Sequence, residues 1–317
     1  MAGGSPDWRA GELDSPTGAT LRLYSMKPEG EPKAIIQINH GMAEHAARYE
    51  RFARFLAGHG CATFAHDHRG HGATTAPDAP LGVFAVPEGK GSGWSKVIAD
   101  VGAVNRHVHG LYPEIPIICF GHSMGGIIAF DYCLTHPESI AGAAIWNTSL
   151  DTPALLGVLA GILKVERFFK GSDTPSAMAV ALTFSAWNKH FKPNRTEFDW
   201  LSRDEAEVDK YVADPLCGFP VAIGTWLSVL EGIYFGADDR NLVKLPRTLP
   251  FHLSAGGDDP VSERGKAIEH LGERLGKAGL SDVTVIVRPS TRHEALNEIN
   301  REEIMEEFGA WLAARFS

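Results

Sequence analysis

The stretch IICFGHSMGGIIAF, residues 117–130, decides the reading of this chain. An apolar segment runs through Gly-His-Ser-Met-Gly into a second apolar segment with helical spacing. Ser123 stands alone between glycines. A buried strand has no use for its hydroxyl, and a helix interior prefers alanine to glycine by ~1 kcal/mol. Gly121-His122-Ser123-Met124-Gly125 fits G-x-S-x-G at a strand-to-helix junction. There a sharp turn exposes the serine at the carboxyl edge of a sheet, and the glycines let neighbouring backbone come close. Ligands bind at that edge in open α/β sheets.

Outward from this turn, short apolar runs read as buried strands at 34–39, 61–67, 115–121, 141–147, 250–256 and 283–289. Helical patterns lie between them at 49–59, 97–109, 125–136 and 263–277, and an amphipathic helix closes the chain at 298–316. Strands alternating with helices predict a mostly parallel sheet covered on both faces, with 21–27 as an antiparallel edge. The alternation stops over 151–244, far longer than an ordinary connection. This predicts a core made of 1–150 and 245–317 and an inserted helical cap at 151–244. Ser202-Arg-Asp-Glu205 fits a capping box for one cap helix. PALLGVLAGIL (153–163) is too short to span a bilayer. It reads as a buried helix, or as a lid that lines an acyl pocket or touches a lipid surface.

A serine hydroxyl needs a base to take its proton and a carboxylate to orient that base, in the chain order Ser…Asp…His. Asp258 and Asp259 follow the strand at 250–256, and His293 follows the strand at 283–289. Each reaches the edge that carries Ser123. Asp259 is preferred because Pro260 fixes the backbone after it, with Asp258 the alternative. A tetrahedral oxyanion also needs donors. The Met124 N–H supplies one, and the loop Asn39-His40-Gly41-Met42 after the first parallel strand points to the Met42 N–H as the other.

Composition narrows the classes. With 44% hydrophobic and 22% charged residues, the 317-residue chain reads as an ordinary globule with a sizeable core. A net charge of −9 with no basic run excludes a nucleic-acid footprint and any general attraction to anionic membranes. Cys61, Cys119, Cys133 and Cys217 form no C-x-x-C pair and read as reduced thiols, hence a cytoplasmic protein. The start MAGGSPDWRAGELDSP is no secretory signal, and Ala2 excludes myristoylation.

His66-Asp-His68-Arg-Gly-His71 matches half of a hydrolytic zinc centre. Gly70 stands where a binuclear zinc hydrolase carries an aspartate, and no later ligands match, so no metal is assigned. The expected role is a loop at the sheet edge held by Asp67 and Arg69. Gly70-His71-Gly72 lacks the third glycine of a dinucleotide fingerprint.

HGMAEHAARYERFARFLAGHG, DHRGHG, GHSMGG, GGDDPVS and RHEALNE together resemble the α/β-hydrolase family of monoacylglycerol lipases and lysophospholipases. The resemblance implies an α/β-hydrolase fold with an eight-stranded sheet and a cap after the sixth strand. It implies a triad of Ser123, Asp259 and His293 with an oxyanion hole at Met42 and Met124. It also implies that Glu44 and Arg48 lie near the polar end of the site, the alternative being a helix-start salt bridge. The cap sequence 196–219 is more similar to a bacterial lysophospholipase-like branch.

The expected activity is therefore hydrolysis of carboxylic esters of single-chain lipids through an acyl-enzyme, with no cofactor. The partner is a small lipid ester, and the cap is the surface that would touch a membrane. The alternatives are a short-chain carboxylesterase, a non-catalytic receptor on this fold and a metal-dependent hydrolase.

Overall fold

The computed structural model describes residues 7–86 and 92–316. Residues 1–6, on which part of the N-terminal reading rests, lie outside them. In chain order the core begins with β1 (Arg9–Asp14), β2 (Thr20–Met26), β3 (Ala34–Asn39), α1 (Glu50–Gly58), β4 (Cys61–His66) and α2 (Gly93–Leu111). It continues with β5 (Ile117–His122), α3 (Met124–Thr135) and β6 (Gly142–Trp146). Five helices follow: α4 (Ala154–Lys170), α5 (Ala177–Leu182), α6 (Phe184–Asn188), α7 (Glu205–Ala213) and α8 (Ile223–Ala237). The chain then returns through β7 (Phe251–Gly256), α9 (Lys266–Lys277), β8 (Val283–Arg288) and α10 (Arg301–Ala313).

The eight strands form one sheet in the order β1-β2-β4-β3-β5-β6-β7-β8. β1 and β2 are antiparallel to their neighbours, and β4 through β8 run parallel. Every residue of β3, β4, β5, β6 and β7 is buried, as continuous apolar runs require when helices cover both faces. Alternation along the strands sends Ile118, Phe120, Ala144 and Trp146 to one side, where Phe52 and Leu56 of α1 meet Phe308 and Trp311 of α10. Cys119, Ala143 and Ile145 face the other side, against α2, α3 and α9. Burying each such aromatic contributes roughly 1.5–3 kcal/mol.

Two expectations shift. β1 was not foreseen, because RAGELD is exposed along nearly its whole length and carries no apolar alternation. It pairs with β2 from Arg9↔Ser25 to Asp14↔Thr20 and forms the sheet edge. α7 is capped by Asp204, whose side chain accepts from the Ala206 N–H, and not by Ser202. Ser202 Oγ instead donates to Asn297 O at 2.8 Å, outside the helix. The stretch between β6 and β7 is helical, and its α8 lies against α3. A Cβ at Gly232 would come within 2.1 Å of the Trp94 ring, so only glycine permits that approach.

Candidate active site

β5 ends at His122 and α3 begins at Met124, leaving Ser123 alone in the turn with φ 57° and ψ −123°. A non-glycine residue in that region carries about 1–3 kcal/mol of strain, which the flanking contacts must hold. The Ser123 N–H donates to Trp146 O at 2.9 Å, extending the β5–β6 pairing into the turn. The glycines explain themselves by contact. A Cβ at Gly121 would lie 2.0 Å from Gly125 O, and one at Gly125 would lie 2.0 Å from Asn39 O. Among the described residues the Ser123 hydroxyl has no hydrogen-bond partner, and it lines a cavity of about 320 Å³. The walls are apolar and include Met42, Leu159, Phe184, Trp226 and Leu230.

The β7–α9 and β8–α10 loops bring a carboxylate and an imidazole together. His293 Nδ1 donates to Asp259 Oδ1 at 2.9 Å, with both side chains buried. Asp258 is exposed. Ser262 Oγ, at 2.8 Å, and Asn147 Nδ2, at 3.2 Å, donate to Asp259 Oδ2, and the Val261 N–H donates to Oδ1. Burial works against the charge on Asp259. The His293 ring and these donors outweigh it and hold the carboxyl below its usual range. His293 adjoins the serine turn: its ring centroid is 4.8 Å from that of His122, and its carbonyl lies 2.9 Å from His122 Nε2. An imidazole whose Nδ1 is tied to a buried carboxylate keeps Nε2 free to accept a proton, the arrangement that activates a neighbouring hydroxyl.

The loop after β3 lies beside the serine. A Cβ at Gly41 would be 2.7 Å from Glu44 Oε1 and 3.3 Å from Ser123 Cβ, so a side chain there would crowd both. Met42 and Met124 line the same cavity as Ser123. Met124 opens α3, where an N–H has no intrahelical acceptor. The Met42 N–H makes no hydrogen bond among the described residues. Ala43 has φ 53° and is held from the stretch between β6 and β7, its carbonyl accepting from the Gly218 N–H and from Tyr211 Oη, both at 2.9 Å.

Glu44 and Arg48 line a small separate cavity with Tyr49, His122 and Glu294. Arg48 Nη1 donates to Glu44 Oε2, and its fork meets Glu294 in two 2.7 Å bonds, so Glu44 and Glu294 share one guanidinium. Burial alone would neutralise Glu44, but Arg48 and His122 hold its carboxyl well below the usual range. Burial likewise opposes the charge on His122, and Glu44 overrides it to raise the imidazole. The structure thus places Glu44 and Arg48 beside the His122 ring rather than on the apolar cavity of Ser123.

The H-x-H-x-x-H residues lie buried beneath this loop. Asp67 accepts from the Ala46 and Ala73 N–H groups, and Arg69 pairs with Asp100 at 2.9 Å and donates to Phe84 O. Only His45, Asp214 and Cys217, among the described residues, bring three metal-type donor atoms within 4.8 Å of one another. His45 and Asp214 already share a 2.9 Å hydrogen bond.

Sequence reasoning missed several neighbours of these groups. Asn147 directly follows β6 with φ 50° and supports Asp259; a polar residue just past an apolar strand at this edge was the available signal. Trp200 sends its ring to 4.9 Å from His293, and nothing in the 196–219 sequence announces this. The backbone around Trp200 is sewn to the histidine loop. The Glu294 N–H donates to Leu201 O at 2.7 Å, the His293 N–H to Trp200 O at 3.4 Å, and Arg292 to Asp199 O at 2.6 Å.

Comparison with known proteins places these features in company. The family model described as Hydrolase_4: Serine aminopeptidase, S33 matches residues 30–300. A monoglyceride lipase of Homo sapiens is 30% identical over 306 residues, covering 94% of this chain and 88% of that protein. A monoacylglycerol lipase of Mycolicibacterium smegmatis is 25% identical over 293 residues, 90% of each. The crystal structure of a thermostable carboxyl esterase from Bacillus coagulans, in complex with glycerol, superposes with a TM-score of 0.87 at 25% identity. That match covers 98% of this chain and 99% of the esterase.

Proposed function

Because the chain belongs to the Hydrolase_4 family of α/β-hydrolases, we propose that it is a serine hydrolase of monoacylglycerol esters. The observation that carries this reading is the His293–Asp259 pair beside a strained serine that opens on an apolar cavity. Ser123 Oγ attacks the ester carbonyl while His293 Nε2 takes its proton, and Asp259 holds the ring with Nδ1–H inward. The Met42 and Met124 N–H groups receive the oxyanion. His293 then protonates the leaving glycerol oxygen, and water repeats the cycle to free the fatty acid. The family description speaks of an aminopeptidase. An apolar cavity with no charged side chain beyond Asp151 and Glu263 favours an acyl chain over a peptide amine.

A panel of monoacylglycerols, lysophospholipids and p-nitrophenyl esters of increasing length tests this. The expected result is a kcat/KM that climbs with chain length, by up to tenfold for each 1.4 kcal/mol of added burial, and highest turnover on monoacylglycerol. A profile that peaks at acetate and falls with length would assign a short-chain carboxylesterase instead.

Residues 151–244 act in this reading as the cap over the cavity, with Leu159, Phe184, Trp226 and Leu230 as its contribution. No helix among the described residues is long and apolar enough to cross a membrane. α4 nevertheless has two apolar faces. Leu159, Ala160 and Leu163 are buried, while Leu155, Val158, Val165, Phe168 and Phe169 are exposed, Phe168 by 84%. Spacings of three, seven and four residues put Leu155, which also meets the rim of the Ser123 cavity, Val158, Val165 and Phe169 on one stripe suited to a lipid surface. Sedimentation with neutral lipid vesicles is expected to carry the protein down. Phe168→Ser with Phe169→Ser should leave most of it in solution while turnover of a dissolved short ester stays unchanged. Equal sedimentation of parent and variant would remove this role for α4.

A further inference from the structure

We infer that His40 and Glu44 are positioning residues that grip Gly41 from its two sides and so aim the Met42 N–H at the oxyanion. The inference rests on the serine-hydrolase reading above. The Gly41 N–H donates to Glu44 Oε1 at 2.6 Å, and the Gly41 carbonyl lies 2.8 Å from His40 Nδ1. The other ring nitrogen settles which tautomer is present. The backbone N–H of His68 points at His40 Nε2 from 2.9 Å, and a backbone N–H can only donate. Nε2 is therefore bare, and Nδ1 carries the proton that the Gly41 carbonyl accepts. The DHRGHG loop thus acts on the site through its main chain, which gives that stretch a purpose without a metal.

The geometry then follows from peptide planarity. C=O and N–H of a trans peptide point in opposite directions, so tying the Gly41 carbonyl to His40 turns the Met42 N–H away from His40. It is left without a protein acceptor, on a residue that lines the cavity of Ser123. Both grips are held in the required state. His40 is fully buried and kept neutral by burial and by the neighbouring His71. A second proton on His40 would face the His68 N–H, donor to donor. Glu44 is kept ionised, and Arg48, itself held by Glu294, fixes its carboxylate. A plain helix-start salt bridge accounts for the Arg48 contact but not for the bond to the Gly41 N–H.

The test compares His40→Ala, His40→Asn and Glu44→Gln in the full chain, with rates normalised to serine titrated by a fluorophosphonate. An asparagine amide can stand near the place of Nδ1 and still donate to Gly41, and glutamine can still accept the Gly41 N–H. His40→Ala is expected to lose about 100-fold in kcat, the scale of one misdirected oxyanion donor, with KM within about twofold of the parent. His40→Asn should regain about tenfold of that loss, and Glu44→Gln, which keeps the acceptor for Gly41 but sets its NH2 against the Arg48 guanidinium, should fall between the parent and His40→Ala. A merely structural role would lower the titratable fraction without separating kcat from KM. Equal kcat for the alanine and asparagine variants, or KM rising in step with the loss, overturns the inference. Should His40→Ala not fold, His40→Asn against His40→Gln makes the comparison, because glutamine carries its amide toward the Nε2 end. An asparagine variant no faster than the glutamine one then overturns it. If Ser123→Ala is inactive while His40→Ala behaves as the parent, the clamp alone fails. If Ser123→Ala is active, the serine reading fails with it.

Discussion

Ser123→Ala is expected to lower monoacylglycerol turnover by about 10⁶-fold, the scale seen when a serine hydrolase loses its nucleophile. Its thermal midpoint should stay at the parent value. The two expectations have separate physical origins. Removing Oγ removes the atom that bonds to the carbonyl, and neither the oxyanion donors nor the cavity can replace it. The same deletion leaves no buried partner unsatisfied, because the hydroxyl makes no hydrogen bond among the described residues. Alanine also meets the positive φ of 57° no worse than serine does. Calorimetry beside a turnover assay checks both halves. A variant that still hydrolyses esters near the parent rate would reassign the nucleophile, and one that is inactive but unfolded would not count as support.

The second large effect is a loss of stability on mild acidification. Burial pushes His66 and His71 down to about 4 and His252 to about 3, and holds His40 and His68 well below the usual imidazole value. Released into water, each binds a proton near pH 6.5. Between pH 6.5 and about 4 the unfolded chain therefore takes up protons at these five rings that the folded one resists, and stability falls as pH falls. Burial raises Asp67 and Asp131, which work in the opposite sense over part of this window. His122, raised by Glu44, is protonated in both states there and adds no slope. Each ring that refuses its proton in the folded state adds about 1.4 kcal/mol per pH unit near pH 5. A domain of this kind has only about 5–15 kcal/mol in total. Denaturant titrations at pH 7, 6 and 5 should show the midpoint collapsing over two pH units. A midpoint that stays constant from pH 7 to 5 would mean that these rings take up protons without unfolding.

How much of this was legible depended on burial. Strands buried on both faces announce themselves as apolar runs, and 34–39, 61–67 and 250–256 lie within a residue of β3, β4 and β7. β1 is exposed at its edge, carries no such pattern and went unseen. Around the site, Ser123 and His293 were readable because strand ends and glycine turns mark the sheet edge. Asp259 could be preferred over Asp258 from Pro260, and the 2.9 Å contact to His293 falls on Asp259. The grip on Gly41 could not be read, since it depends on a tautomer set by the main chain of residue 68. Trp200 was equally hidden. Its place against His293 arises from the packing of an irregular segment, which no periodicity encodes.

The bonds from His293 and Glu294 to the carbonyls of Trp200 and Leu201 bear on how this protein can be re-engineered. Exchanging the whole insertion for that of a relative, as a modular way to change selectivity, would strip two main-chain amides of their acceptors and take away the indole behind the imidazole. A graft confined to α4 and α5 spares that seam together with α6, whose Asn188 accepts the Trp200 N–H and whose Phe184 and Trp187 rings pack on the indole, and is the unit in which loop shuffling can alter the pocket without dismantling the chemistry.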